Sequence, residues 1–251
     1  MADTQMFSYD DNIYSYNNNM FRNDSKISSS IDGMLLWLEP SKKNIVLDSQ
    51  NKVIKWKDIS GKLNHAYSDL RATYQPNTLN GYPTLLFNNN VYNVDLFINH
   101  FTIFTVFTSS DKDYIYEFGD DTDLETGFFL NGDDKSIGVS KDGTSNLSSF
   151  KEYQNSWGVG PWRLITHYYN GTNDYHRFNI NGEILPLGPY YGYDDDPGNI
   201  GETKTLHIGA RLNAANGMNG SIAEYIVYNR LLSDSEMDIV QNYLNNKYAI
   251  Y

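Results

Sequence analysis

Two loops carry aromatic side chains next to polar ones, the combination that carbohydrate binding needs. Trp157-Gly-Val-Gly-Pro-Trp162 places two indoles around a flexible turn, and Pro189-Tyr190-Tyr191-Gly-Tyr193-Asp194 clusters three tyrosines with carboxylates. Trp157, Trp162, Tyr190, Tyr191 and Tyr193 are therefore the candidate sugar contacts. A plainer use stands beside this one. Trp162 can begin the strand from Arg163 and fill the core, and the tyrosines can cover a sheet edge or a neighbouring subunit.

Hard oxygen donors suggest a second chemistry. Asp120-Asp121-Thr-Asp123-Leu-Glu125 presents alternate oxygens before Gly127, a ligand type that suits calcium, and Asp120, Asp121 and Asp123 are its candidate ligands. An EF-hand is excluded, because the sixth residue from Asp121 is Thr126 and the twelfth is Gly132. Asp194-Asp-Asp-Pro-Gly-Asn199 is a second acidic loop, and for both the competing reading is a solvated turn. No cofactor is required by any motif. Gly138-Val-Ser140-Lys-Asp142 lacks the closing glycine of a nucleophile elbow, and His65, His100, His167, His176 and His207 are scattered without a zinc-binding helix spacing.

These loops must hang on strands. Met34–Leu38 is a continuous apolar run bounded by Gly33 and Pro40, as expected of a strand buried on both faces. Val53–Trp56, Phe101–Phe107, Tyr114–Phe118, Phe128–Leu130, Ser136–Val139, Arg163–Tyr169, Arg177–Ile180, Glu183–Leu187 and Leu206–Ile208 read as further short strands. Asn88–Asn99 reads as a loop and a short strand. Asn181-Gly182 supplies the two positive-φ positions of a tight hairpin, so Arg177–Ile180 should pair with Glu183–Leu187. Trp37 and Trp56 lie on buried strands and belong to the core.

The stretch Gly220–Tyr248 is a strand, a turn and a helix. Ile222, Tyr225, Val227 and Tyr228 are β-formers. Ser233 stands three residues before Glu236, the spacing of a capping box, and Met237, Val240 and Leu244 recur on one helical face. Gly220-x-Ile-Ala-Glu224-x-Ile-x-Tyr-Asn-Arg230-x-Leu-Ser-Asp-x-Glu236 resembles the closing signature of the laminin-G-like, concanavalin A-like superfamily, and Trp56-x-Asp58-x-Ser60-Gly61 resembles that family's early segment. The resemblance covers roughly residues 32 to 251. It implies an all-β fold: a two-sheet antiparallel jelly-roll sandwich with a short C-terminal helix, preceded here by an N-terminal polar arm. It does not fix a chemistry, because the fold hosts lectins, glycosidases and structural modules.

Jelly-roll glucanases, as the resemblance implies, carry Glu-x-Asp-x-x-Glu on one strand. The nearest match, Glu236-Met-Asp238-Ile-Val-Gln241, ends in Gln and falls on the predicted helix, where residues two apart face different ways. Glu224 matches a Glu of the family signature and reads as structural, bonding or capping a buried loop. The chain is therefore expected not to be an enzyme.

Composition narrows the partners. A net charge of −12 argues against nucleic acid, which needs a basic surface, and the absence of cysteine removes disulfides and thiolate sites. No apolar run reaches the roughly 20 residues of a membrane span, and the first residues lack the pattern of a signal peptide. Residues 1–30 differ from the domain at 31–251. They are rich in Asn, Asp, Ser and Tyr, and repeat at a period of seven: Met6, Ile13, Met20 and Ile27 share one position, Phe7, Tyr14 and Phe21 the next, with Tyr9 and Tyr16 two further on. Three readings stay open, namely an extended arm anchored on other protein subunits, a helical oligomerisation seam, and a disordered tail of biased composition.

The expectation is a non-enzymatic structural or decoration protein of a larger assembly, anchored by its arm, with a jelly-roll head that binds surface glycans. The Asn- and Tyr-rich composition resembles phage structural proteins, which would place it in a virion. A stand-alone lectin is the alternative, and a glycoside hydrolase comes third.

Overall fold

The structure, a computed structural model, describes residue 27 and residues 31–110, 114–119, 124–129, 136–139, 149–152, 160–170, 175–184, 202–210 and 217–251. Its first strands are β1 (Met34–Leu38), β2 (Ile45–Leu47), β3 (Val53–Trp56), β4 (Ala66–Tyr67), β5 (Thr73–Leu79), β6 (Tyr82–Asn88), β7 (Tyr92–Ile98), β8 (Phe101–Ser109) and β9 (Tyr114–Gly119). They are followed by β10 (Leu124–Phe129), β11 (Ser136–Val139), β12 (Ser149–Glu152), β13 (Arg163–Asn170), β14 (Tyr175–Ile180), β15 (Glu183–Ile184), β16 (Glu202–Ile208) and β17 (Asn219–Tyr228). One helix, α1 (Asp234–Tyr248), follows.

The strands form two antiparallel sheets and a separate β11–β12 hairpin. Sheet A runs β15-β14-β13-β8-β17-β6-β5, and sheet B runs β10-β9-β16-β7-β4-β3-β2. The long β17 is shared along one edge: Asn219–Ile222 pair with β6, and Tyr225–Tyr228 with β1. β14 and β15 pair across Asn181 and Gly182, whose φ values of 50° and 81° fit the primed turn the sequence predicts.

The two-sheet sandwich expected from the sequence is thus present, with its main core between the sheets. Leu36, Trp56, Phe87, Tyr92, Phe101, Phe107 and Tyr116 are buried there. The Tyr92 hydroxyl donates to the Val53 carbonyl at 2.6 Å and accepts from Ala72 N–H at 3.2 Å, so the phenol enters the core satisfied. Trp37 and Trp56 are both buried, as expected.

A second apolar layer lies on the other side of sheet A. Met237, Val240, Tyr243 and Leu244 of α1 pack there with Trp37, Phe104, Val106, Leu164 and Ile226. Each such side chain contributes about 1.5–3 kcal/mol by leaving water. The helix begins where the capping box predicts: Glu236 N–H donates to Ser233 Oγ, and Ser233 N–H donates to Glu236 Oε2. Ile27 and Ile31 are buried in the same layer, so the chain is already docked at residue 27.

Several strand expectations need correction. Asn88–Asn99 holds the whole of β7, whose residues alternate strictly between buried and exposed from Tyr92 to Ile98. Asn93 and Asp95 sit on its outward side. β2, β4, β5 and β12 are additional strands. β5 tolerates Pro76 because it is the edge of sheet A and the missing N–H breaks no ladder there.

Candidate functional site

The two sheets treat their outer faces differently. On sheet A the face away from the core is roofed by α1, and the carboxylate of Glu224 is consumed there. A bulge opposite Val106 makes Ala223 the extra residue of β17, so that Ala223 and Glu224 both turn toward the helix. Glu224 is fully buried and accepts from Trp37 Nε1 at 2.6 Å, Tyr248 hydroxyl at 2.7 Å, Lys247 Nζ at 2.8 Å and Tyr243 hydroxyl at 3.1 Å. Burial pushes its carboxyl above the ordinary value, and the Lys247 charge pulls it back down. The sequence reading of a structural Glu224 agrees, but its partners are a helix and strand β1, not a loop. Glu236 is likewise occupied by a two-pronged pair with Arg230, at 2.6 Å and 2.9 Å, which holds its carboxyl down to about 2.

Asp58 of the Trp56-x-Asp58-x-Ser60-Gly61 segment is also structural. Its buried carboxylate accepts from the N–H groups of Trp37, Ser60 and Asn64 and from the Ser60 hydroxyl, at 2.8–3.0 Å. This locks the connection after β3 onto β1.

Sheet B offers its outer face. Register aligns Val46, Lys55, Tyr67, Asn93, His207, Glu117 and Gly127 in one row across β2, β3, β4, β7, β16, β9 and β10. At about 4.8 Å per strand, Lys55 to Glu117 spans about 19 Å. Tyr67 is 52% exposed and Asn93 is exposed, whereas His207 and Glu117 are buried, so the row runs from an open end to a covered one. His207 Nδ1 is hydrogen-bonded to Asn93 Oδ1 at 2.7 Å, and Lys55 Nζ lies 5.2 Å from the centre of the Tyr67 ring. A parallel row pairs Thr205 with Asp95, whose carboxylate accepts from the Thr205 hydroxyl at 2.6 Å, and a third pairs Thr203 with Phe97, 59% exposed. The arrangement provides aromatic surface, amide and hydroxyl groups on a rigid floor, with a basic and an acidic end. Its two outward carboxyls, Asp95 and Glu117, stand on strands separated by β16, about 9.6 Å apart before their offset along the strands. The two-residue offset widens this to about 12 Å, beyond both the roughly 5–5.5 Å of a retaining pair and the roughly 6.5–9.5 Å of an inverting one.

Of the residues singled out from sequence, Trp162 is described. It directly precedes β13 and is half-buried against the layer beneath α1. Trp157, Tyr190, Tyr191 and Tyr193, the acidic residues Asp120, Asp121 and Asp123, and the arm residues Met6, Phe7, Tyr9, Ile13, Tyr14, Tyr16, Met20 and Phe21 lie outside the described residues. Among the described residues no group of three or more His, Asp or Glu is arranged to hold a metal ion, and no helix is long and apolar enough to cross a membrane. Sequence reasoning missed the sheet B row. Its one local trace is the polar–apolar alternation of β7.

No family model and no curated protein matches the sequence. Solved structures do. The binding domain of botulinum neurotoxin serotype D/C superposes with a TM-score of 0.59 at 15% identity, over 87% of this chain and 53% of that one. The binding domain of botulinum neurotoxin DC in complex with SialylT gives 0.57 at 16% identity, over 87% of this chain and 52% of the other. Trypanosoma rangeli sialidase gives 0.55 at 14% identity, over 94% of this chain and 38% of the enzyme. At such identities the likeness is one of fold, and the chain spans about half the toxin binding domains and about two-fifths of the sialidase.

Proposed function

We propose that this chain is a non-catalytic carbohydrate-binding sandwich of the laminin-G-like, concanavalin A-like kind, which receives a glycan on the outer face of sheet B. The observation that carries the reading is the exposed group Tyr67, Asn93, Asp95 and Phe97, where aromatic surface adjoins side-chain hydrogen-bonding groups on the adjacent strands β4 and β7. Such a face suits a ring that is apolar on one side and hydroxyl-bearing at its rim. The toxin binding domain solved with SialylT has a similar fold, which supports the reading. The arm in residues 1–30, whose Ile27 packs on the head itself, tethers this head to other subunits of an assembly, a virus particle by the resemblance of composition, and the acidic segment at Asp120–Asp123 is the place for calcium.

A glycan array separates this reading from the loops at Trp157–Trp162 and Pro189–Asp194. Tyr67→Ala with Asn93→Ala should reduce retention on the array by about tenfold or more, since two lost contacts of roughly 1 kcal/mol each suffice. Trp157→Ala with Tyr191→Ala should leave it within a few-fold. The opposite pattern would move the site to the loops, and no retention of any glycan by the intact chain would remove the function.

A further inference from the structure

The outer face of sheet B is bounded on one side by an unusual concentration of positive charge. Residues 42–62 hold six lysines, Lys42, Lys43, Lys52, Lys55, Lys57 and Lys62, against two aspartates, a local net charge of +4 in a chain whose net charge is −12. Neither aspartate is free to neutralise a ligand. Asp58 is buried with its four donors, and Asp48 pairs with Arg71 at 3.1 Å while accepting from two backbone N–H groups.

The fold orders these lysines relative to the row. Opposite β2 the strand β3 takes one extra residue, Ile54, which leaves Trp56 inward and Lys55 outward, level with Val46 and Tyr67. Lys57 lies two residues further along extended chain and so emerges on the same face. Its Nζ donates to the Lys43 carbonyl at 2.9 Å, which draws the Lys42–Lys43 segment alongside. The imidazole of His65 is held below its ordinary value by burial first and by the Lys55 charge next, with Asp58 opposing and Lys57 adding a smaller push in the same direction as Lys55. At the far end of the row stands the Glu117 carboxyl.

We propose that the glycan taken by this face is an acidic one, bearing a carboxylate or sulfate group that seats at Lys55 and Lys57 while its neutral rings run over Tyr67 and Asn93. The inference rests on the carbohydrate-binding reading of that face. It also fixes an orientation, because the lysine end of the row is the one that attracts an anion. The rest of the sequence is net acidic, so the lysine edge is where an anionic chain meets attraction at close range.

The test compares sialyllactose with lactose, and a sulfated heparin oligosaccharide with its desulfated form, by calorimetry on the intact chain. Wild type should favour each acidic member by about tenfold in low salt, as two partly exposed charge contacts allow, and the preference should shrink as ionic strength rises. Lys55→Gln with Lys57→Gln should abolish the preference while leaving the neutral sugar bound as before. Equal binding of acidic and neutral members, or a preference that survives the double substitution, would overturn the inference. So would binding to phosphatidylserine vesicles with no binding of any oligosaccharide, which would make the lysine edge a lipid contact. Tyr67→Ala serves as the control for the underlying reading: if it leaves all sugar binding unchanged, the face itself is wrong, whereas loss in Tyr67→Ala alongside an inert lysine pair would sink the acidic ligand alone.

Discussion

Sheet A and sheet B have the same strand geometry, yet their outward side chains differ in kind. On sheet A the positions facing away from the core include Phe104 and Val106 of β8 and Ile226 and Tyr228 of β17, all buried under α1. On sheet B the corresponding positions are Asn93, Asp95 and Phe97 of β7 and Thr203, Thr205 and His207 of β16. A strand covered on both faces reads as a continuous apolar run, and a strand covered on one face reads as an alternation. Sheet A therefore buries its outer face under the helix, and sheet B leaves polar and aromatic side chains exposed on part of its own. The contrast is sharpest in the acids: Glu224 has four donors and no solvent, while Asp95 has one side-chain donor on an open surface.

If that division is right, substitutions on the two faces must separate stability from binding. The largest effect should come from Glu224→Ala, which removes the shared acceptor of Trp37, Tyr243, Lys247 and Tyr248 beneath the helix. Breaking such a pair from one side costs about 3–5 kcal/mol, and urea unfolding should show it as a large drop in midpoint. A loss below about 1 kcal/mol would mean that the helix-side polar cluster is not what holds α1 down.

Ser233→Ala should cost about 1 kcal/mol, the usual value of a lost N-cap, again with glycan binding unchanged. Acid should act through the neighbouring Glu236. Its folded value is depressed from 4.5 to about 2, so its contribution is present above about pH 4.5 and is lost as pH falls from there toward 2. Unfolding curves of wild type and Glu236→Gln should therefore converge as pH falls through that window, and a constant gap between them would contradict the assignment. The smallest stability change, under about 0.5 kcal/mol, is expected for Tyr67→Ala at its exposed site, although the same substitution should weaken glycan binding most among single variants of the open face.

The helix-side region was largely legible in the sequence, because its signals are local. Ser233 and Glu236 are three residues apart, Met237, Val240 and Leu244 share a helical face, and the apolar runs of β1 and β8 announce strands covered twice. The destination of Glu224 was less so, since a one-residue bulge at Ala223 shifts which side chains face the helix and leaves no mark in composition. The row on sheet B was invisible for a different reason. Tyr67, Asn93, Glu117 and His207 are brought together by register between strands remote in the chain, and no spacing in one sequence encodes that. The asparagines of β7 added to the difficulty, because Asn favours turns and here occupies the solvent side of a strand.

On our proposal the outer face of sheet B, and not the aromatic loops, receives the sugar. Hydrogen–deuterium exchange of the intact chain with and without a retained glycan tests it most directly, because ligand contact slows local opening where it occurs. The expected result is added protection in β7 and β16, at residues 92–98 and 202–208. Protection confined to residues 154–162 or 188–199, with β7 and β16 unchanged, would contradict the account.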